Sequence, residues 1–357
     1  MALLDRIDPP PVRHVYRWDL DKTYLRTEFD TLRDLLRTAF EKARDKVNVP
    51  GTAALMRELR ESGVAPNRVC IISGSPRQMR SVLTEKLRLD GAVWDEMVLK
   101  PNLSNMLRGR FRAVRDQVGY KLPTLLESRA QAPVSADETL FGDDAESDAF
   151  IYSLYADVLS GAVDEETLFA ILEASGTYED VAVRVLEAAR SVERRDAVRR
   201  IFIHLDRRTP PAYFRRYGPR LVPIYNYFQA ALVLMADGHL GPVSVARVAA
   251  EMITNYGYSL LALGNSLQDL ARRGLPVAAL VESVSQVVSR GEAGELANLL
   301  RPAPDILAAF AKRVAALGAL PPAPQPVTVD YLSMLEEAFP KKRRKESDRD
   351  EPEPVGG

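Results

Sequence analysis

The stretch VRHVYRWDLDKTY, residues 12–24, is an extended apolar and aromatic run that ends at two carboxylates, Asp19 and Asp21. Val, Tyr and Trp favour a strand, and the chain curls where a strand ends, so both carboxylates can lean into one crevice. Open α/β sheets bind their ligands in such a crevice. The pattern therefore indicates either a ligand site or a strand end that continues into an Asx turn, because by itself it is weakly specific.

A cation would relieve the repulsion between these two neighbouring carboxylates. A hard divalent ion with oxygen ligands suits such a position, and Mg²⁺ is the usual ion at phosphate sites. We therefore treat Asp19 and Asp21 as candidate site residues and use the polar groups farther along the chain to decide between the two interpretations.

Composition narrows the class of protein. The 357 residues leave room for more than one core. The 48 basic and 49 acidic residues create no global field that selects nucleic acid or membrane, and we expect no specific nucleic-acid partner. The one cysteine, Cys70, excludes a disulfide framework or a thiolate metal cluster. We recognise no signal peptide, and residues 221–236 are too short and polar to span a bilayer, so we expect a cytoplasmic protein.

Hydrophobic periodicity predicts strands that alternate with helices. The predicted strands after the first are short β-branched runs at 68–72, 97–99, 138–141 and 198–205. The predicted helices between them lie at 26–47, 52–61, 77–87, 103–118, 122–127, 164–174 and 178–191. This alternation indicates a mainly parallel α/β sheet whose last strand is 198–205.

Three polar segments follow predicted strands or helices in a suggestive order. Ser73-Gly74-Ser75-Pro76 lies between a strand and a helix start, where orphan backbone N–H groups favour an anion, although an ordinary capped helix start is the alternative. Lys121 follows a basic helix whose charges are by default solvated. The segment GDDAESD, residues 142–148, supplies four acids that serve either as helix caps or as metal ligands. Capping suits Asp144 and Glu146 best.

The motif around Asp19 and Asp21, then Ser73, Lys121 and the acids from Asp143, resembles the four motifs of the haloacid dehalogenase (HAD) phosphatase superfamily in their proper order. Within it the chain is most similar to the catalytic-domain family of the yeast actin-patch phosphatidate phosphatase. The resemblance covers about residues 11–206 and rests on VPG at 49–51, SGSP at 73–76 and the spacing from 142 to 152. Lys22 and Arg77 depart from that family, which more often has an acid and an aromatic residue there.

The resemblance implies a HAD-like Rossmannoid parallel sheet with helical insertions, and a nucleophile with an acid/base partner. Asp19 would attack phosphorus and form an aspartyl-phosphate. Asp21 would protonate the leaving alkoxide and later deprotonate water. The phosphate oxygens would be bound by Ser73, Gly74 and Lys121.

The resemblance also implies a Mg²⁺ site. Its ligands would be the Asp19 carboxylate, the Asp21 backbone carbonyl and Asp143, with Asp148 in support. Whether Asp144 or Asp148 is the second supporting acid is left open by the sequence. All of the residue types that the chemistry needs are present.

We predict three parts of the chain. Residues 1–220 form the HAD-like phosphatase domain, with a helical insertion at about 158–192; residues 221–320 form an all-α region; residues 321–357 form a Pro-rich linker, a short helix at 328–339 and a disordered tail. The tail carries five adjacent cations, for which peripheral membrane contact, a solubilising role and nuclear localisation are the alternatives. These cations are Lys341, Lys342, Arg343, Arg344 and Lys345.

The arginine- and aromatic-rich segment 207–220 is interpreted as a linker that packs onto the next part, with a lipid or polyanion surface as the alternative. The function predicted for the whole is a Mg²⁺-dependent phosphomonoester hydrolase, with phosphatidate as the candidate substrate. A soluble phosphomonoester, or a non-catalytic interaction protein on a HAD-like scaffold, is the alternative.

Overall fold

The computed structural model describes residues 12–26, 47–61, 66–100, 113–275, 312–313, 315–316 and 321–338. Within them, six parallel strands form one sheet in the order β3-β2-β1-β4-β5-β6. The strands are β1 His14–Trp18, β2 Asn67–Pro76, β3 Glu96–Lys100, β4 Asp137–Asp143, β5 Val198–His204 and β6 Leu221–Ile224. The predicted α/β class with a parallel sheet is confirmed.

Helices cover both faces of this sheet, as parallel strands require. They are α1 Thr52–Glu61, α2 Arg80–Leu89, α3 Ala113–Ala130, α4 Asp148–Ser160, α5 Glu165–Ala174, α6 Glu179–Ser191, α7 Tyr227–Ala236, α8 Pro242–Tyr256, α9 Leu260–Arg272 and α10 Tyr331–Ala338. One hydrophobic cluster joins the sheet to α1, α2 and α7–α9, and a second joins it to α3–α6 and α10. Of the helices after α6, α7–α9 thus belong to the first cluster and α10 belongs to the second.

The strand order reverses between β1 and β4. From β1 the chain builds outward through β2 and β3, and it then returns to the other side of β1 to add β4, β5 and β6. A crevice opens at such a reversal beyond the carboxyl ends of the two strands, where open α/β sheets bind their ligands. Trp18 pairs with Phe141 across β1 and β4, so Asp19 and Asp143 lie near each other at this edge.

A ladder of aromatic rings supports the sheet directly beneath the crevice. The rings of Trp18 and Phe141 stack with centroids 3.8 Å apart, and Phe202 continues the stack from β5 at 5.2 Å. Tyr227 of α7 covers Trp18 at 5.6 Å, and all four side chains are buried. Because buried pairs of aromatic rings pack rigidly, this layer fixes the positions of the carboxyl ends of β1 and β4.

A buried charged network holds α3 on the other face. The Arg17 guanidinium donates to the Glu138 carboxylate at 2.9 and 2.8 Å and to the Ser128 hydroxyl at 2.7 Å. The Tyr155 hydroxyl adds a donor to Glu138 at 2.7 Å. Since Ser128 belongs to α3, the network fixes the helix that carries Lys121 relative to β1 and β4.

Two predictions about the middle of the chain need correction. Strand 198–205 is not the last, because Leu221–Ile224 forms β6 and pairs with β5, so the prediction that the chain is helical from 221 onward is wrong there. This four-residue run continues directly into the apolar sequence of α7, and apolar content alone cannot separate a short buried strand from a helix. The predicted gap at 119–121, between the helices at 103–118 and 122–127, is also absent, since α3 is continuous from Ala113 to Ala130.

Several predicted helices agree with the structure. The helix at 52–61 is confirmed as α1, and those at 164–174 and 178–191 agree with α5 and α6 to within one residue at their starts. The predicted helix at 328–339 appears as α10, which buries Tyr331 and Leu335. Most of the predicted helix at 26–47, the start of that at 103–118, residues 276–311 and the basic tail lie outside the described residues. No described helix has the length and apolarity to cross a membrane.

Candidate active site

The chain leaves β1 through a tight turn that keeps Asp19 and Asp21 at the same edge of the sheet. The amides of Tyr24 and Leu25 both donate to the Leu20 carbonyl, at 2.9 and 2.8 Å. Lys22 adopts a left-handed backbone with φ 59°, which is strained for a residue with a side chain. The His204 ring stabilises it from β5, because its Nδ1 donates to the Lys22 carbonyl at 2.9 Å.

Asp19 is a buried carboxylate without a hydrogen-bond partner. Its side chain is 1% exposed, and neither of its oxygens accepts a hydrogen bond from any described residue. Burial raises the pKa of Asp19 well above its ordinary value, and the nearby carboxylates of Asp148, Glu146 and Asp143 add to the rise. An unsatisfied buried carboxylate is destabilising, so this position is shaped for a ligand rather than for the apo fold.

Lys121 lies at the centre of the acidic group and is itself fully buried. Its Nζ donates to Asp148, to Glu146 at 2.9 Å, and lies 3.4 Å from Asp19 Oδ1. Burial disfavours the lysine charge, but the carboxylates of Asp148, Asp19 and Glu146 outweigh it and hold the pKa of Lys121 well above its ordinary value. One ammonium thus serves three carboxylates, which leaves the site with a negative charge in excess.

Asp143 ends β4 and organises the loop behind it. Its Oδ1 accepts from the amides of Ala145 and Glu146 at 2.7 and 3.0 Å, and its Oδ2 accepts from the Thr23 hydroxyl at 3.3 Å. Burial raises the pKa of Asp143 well above its ordinary value, with Asp148 adding to the rise. This carboxylate therefore ties the turn after β1 to the loop after β4.

The structure separates the roles of Asp144 and Asp148. The Asp144 carboxylate accepts from the backbone amides of Arg207 and Thr209, at 2.7 and 3.0 Å, and so fixes the loop after β5. Asp148 begins α4, is fully buried, and accepts from Lys121 and from the Asp143 amide. Of the two acids, Asp148 is the one brought to the site.

Three carboxylates are placed to share a cation. Oxygens of Asp19, Glu146 and Asp148 all lie within 4.8 Å of one another. The donor set fits a hard divalent ion, because it consists of carboxylate oxygens, from the buried Asp19 and Asp148 and the half-buried Glu146. Both Asp19 oxygens lack a hydrogen-bond donor among the described residues. Asp143 does not belong to this group, although it was predicted as a ligand. For Glu146 the sequence favours capping over metal binding.

A second group of hydroxyls surrounds Asp21. The Ser75 hydroxyl donates to Asp21 Oδ2 at 2.6 Å, and the Ser73 hydroxyl lies 3.3 Å from the same oxygen. The Ser73 oxygen accepts from the Ser75 amide at 3.0 Å, and Tyr120 donates to the Ser73 carbonyl at 2.9 Å. Both serines are buried, so β2 presents two hydroxyls to the carboxylate of the turn after β1.

The residues that hold this geometry coincide with a known family. Residues 18–165 match the family model described as Phosphatidate phosphatase APP1, catalytic domain. This segment belongs to that family. The family predicted from the motifs is thereby confirmed, over a shorter range than the motifs suggested. No significant match exists among curated proteins or solved structures.

The segment 18–165 contains every residue that is predicted for the site. The structure brings Asp19, Lys121 and Asp148 into contact, and it places Asp21 beside Ser73. Beside Gly74 the space is open, because no atom of the described residues other than its chain neighbours lies within 4 Å of where a Cβ would lie. β5 and β6 lie beyond the matched residues, although β5 reaches the site through the His204 ring.

Sequence reasoning missed two participants in this segment. Ser75 was quoted within the SGSP motif but received no role, although side chains two apart on a strand share a face, so Ser73 implies Ser75. For Glu146, which precedes a helix, the sequence favours capping over metal binding. The signal that it belongs to the site was its position between Asp143 and Asp148 in one loop.

Proposed function

We propose that this chain is a Mg²⁺-dependent phosphomonoester hydrolase of the HAD type that acts through an aspartyl-phosphate on Asp19. The observation that carries the proposal is the Asp19 carboxylate, which is buried at the end of β1 and accepts no hydrogen bond from the described residues at either oxygen. A nucleophile needs available lone pairs, and covalent catalysis divides a slow hydrolysis into two easier displacements.

The two steps use Asp19 and Asp21 in turn. An Asp19 oxygen attacks phosphorus, the bond from phosphorus to the ester oxygen breaks, and Asp21 gives that oxygen a proton. Asp21 then takes a proton from water as the water oxygen attacks the phosphorus of the acyl phosphate, which releases inorganic phosphate and restores Asp19. The hydrogen bonds from Ser75 and Ser73 support this role, because they hold the Asp21 carboxylate at the mouth of the crevice.

Asp19, Glu146 and Asp148 are the residues that would hold the divalent ion. Once bound, Mg²⁺ supplies positive charge that keeps Asp19 ionised and offsets the charge of the transferring phosphoryl group. Lys121 contributes a second, fixed positive charge from the protein itself, and Ser73 with the backbone at Gly74 offers donors for phosphate oxygens.

Phosphatidate is the substrate that the family description favours. The membrane contact predicted for the basic tail stays a prediction, because residues 341–345 lie outside the described part of the chain. A soluble phosphomonoester would use the same chemistry, so the two substrates are compared directly in the experiment below.

The test is phosphate release from phosphatidate in mixed micelles and from p-nitrophenyl phosphate, with Mg²⁺ or with EDTA. We expect activity with Mg²⁺ alone, and we expect Asp19→Asn to lose it by several orders of magnitude, because the amide is not a nucleophile. Asp206→Asn, an exposed neighbour at the same edge, is the matched control and should keep full activity. Equal activity in wild type and Asp19→Asn would reject the proposal, and equal use of both substrates would reject phosphatidate as the preferred one.

A further inference from the structure

Exposed arginines collect at the edge of the sheet where the crevice opens. Arg26 lies after β1, Arg77 follows β2, and Arg207 and Arg208 follow β5. All four are exposed, and none forms an ion pair with a carboxylate of the described residues. We call these four residues the basic rim. Asp206 is an exposed carboxylate beside them, and the half-buried Asp21, Asp144 and Glu146 lie further inside the crevice. The arginines thus form the outer, positive part of an edge whose interior is acidic.

The opposite edge of the sheet carries arginines of a different kind. There, at the amino ends of β4, β5 and β6, the arginines are neutralised by neighbouring aspartates. The pairs are Arg195 and Arg199 with Asp137, Arg200 with Asp237, and Arg220 with Asp157 and Asp196. Paired charges of this kind create little external field, whereas the four arginines of the rim keep theirs. Arg13 and Arg68, at the amino ends of β1 and β2, are also exposed and without an ion pair among the described residues, so they serve below as the comparison for the rim.

The rim is attached to the candidate active site by short connections. The Arg207 amide donates to Asp144, the neighbour of Asp143, at 2.7 Å. Burial lowers the pKa of His204, and the positive charge of Arg26 adds to that lowering, so Arg26 also lies near the end of β5. The rim therefore surrounds the mouth of the crevice rather than a remote surface.

The width of the rim determines which kind of anionic partner can contact all four of its arginines. From β2 to β5 there are three strand intervals of about 4.8 Å, so the rim spans roughly 14 Å. A single phosphate ester contacts only a few of these side chains at once. A plane of anionic headgroups contacts all of them. We propose that the basic rim docks this chain onto an anionic lipid bilayer with the crevice facing the lipid. The choice of a bilayer rests on the proposed phosphatidate chemistry.

The experiment measures sedimentation of the full chain with phosphatidylcholine vesicles that contain or lack phosphatidylserine, which has no phosphomonoester to occupy the active site. The chain carries K341Q/K342Q/R343Q/R344Q/K345Q, so that the basic tail cannot supply the binding. We expect binding only to the anionic vesicles. Because one basic residue near an anionic surface strengthens binding about fivefold, R207Q/R208Q should weaken it about 25-fold and R26Q/R77Q by a similar factor.

R13Q/R68Q is the matched control. Both arginines are exposed and unpaired within the described residues, but they lie at the amino ends of β1 and β2. We expect their loss to change vesicle binding less than twofold. The proposal is overturned if the tail-neutralised chain does not bind anionic vesicles, or if R13Q/R68Q weakens binding as much as R207Q/R208Q does.

Three further measurements distinguish bilayer binding from the binding of other anions and from catalysis. The kcat/KM for p-nitrophenyl phosphate should be unchanged in R207Q/R208Q. If instead this variant loses kcat/KM while its vesicle binding is unaltered, the rim binds soluble esters and not the bilayer. Binding of an RNA oligonucleotide more tightly than vesicles, with the same loss in R207Q/R208Q, would also overturn it. Asp19→Asn should bind vesicles as tightly as the wild type does. Vesicle binding therefore tests the rim even if the proposed catalysis proves wrong.

Discussion

Asp21 accepts a 2.6 Å hydrogen bond from the Ser75 hydroxyl, the shortest contact made by either serine of the β2 motif. Ser75 is 1% exposed, so water does not readily replace this donor. A hydrogen bond to a charged group contributes roughly 1.5–3 kcal/mol. At the scale of single residues, Ser75 is therefore a positioning residue for the acid/base group proposed here.

We predict that Ser75→Ala lowers kcat for phosphomonoester hydrolysis by about 10-fold or more and leaves KM nearly unchanged, because Asp21 loses orientation while the phosphate site stays intact. Steady-state kinetics on a soluble ester measure both values. Ser153→Ala is the control, since the Ser153 hydroxyl is also buried but has no hydrogen-bond partner among the described residues. A change in KM alone would contradict a positioning role.

At the scale of elements, the junction between β4 and α4 depends on a close approach that only glycine permits. A Cβ on Gly142 would lie 2.5 Å from Asp148 Oδ2, 2.6 Å from its Cβ and 2.8 Å from the Tyr152 ring. The strand and the helix start therefore cannot both keep their places around a larger residue. The close approach of Gly142 and Asp148 keeps the Asp148 carboxylate next to Lys121.

We predict that Gly142→Ala destabilises the fold by about 1–3 kcal/mol and reduces activity, because Asp148 and the first turn of α4 must shift. Denaturant unfolding followed by circular dichroism measures the free energy of unfolding. Gly74→Ala is the matched control for stability, since no described residue except its chain neighbours lies within 4 Å of the added methyl group. Equal stability of the two variants would mean that the loop relaxes without resistance.

At the scale of the whole molecule, the acidic site works against the stability of the metal-free fold. Burial raises the pKa of Asp19, Asp143 and Asp148 above their ordinary values. The folded state thus binds more protons than the unfolded state above about pH 4, so its stability falls as pH rises through the raised pKa values. A bound divalent ion compensates the same charges and should reverse this loss.

We predict that, in EDTA, the melting temperature falls between pH 5 and pH 8, and that Mg²⁺ raises it most at pH 8. A ligand at 100 times its Kd stabilises a fold by about 2.7 kcal/mol. Thermal unfolding at the two pH values, with and without the ion, tests this. Asp148→Asn should abolish most of the Mg²⁺ effect, whereas Asp206→Asn should keep it. A melting temperature that Mg²⁺ does not move would argue against a metal site.

The sequence by itself determined the α/β class, most helix limits and the family, because these follow from local signals. Short β-branched runs predict strands, and each motif lies within a few consecutive residues. It also indicated Asp19, Lys121 and Asp148 as partners, through the order of the motifs.

Only the tertiary structure decided which groups meet. Ser75 reaches Asp21 across 54 residues of chain, and Glu146 joins Asp19 and Asp148 because β4 ends beside β1. Leu221–Ile224 became a strand because β5 offered it an unpaired edge, which no local pattern announces. The physical reason is common to all three: hydrogen bonds and ion pairs depend on distances between remote segments, and those distances exist only once the sheet has formed.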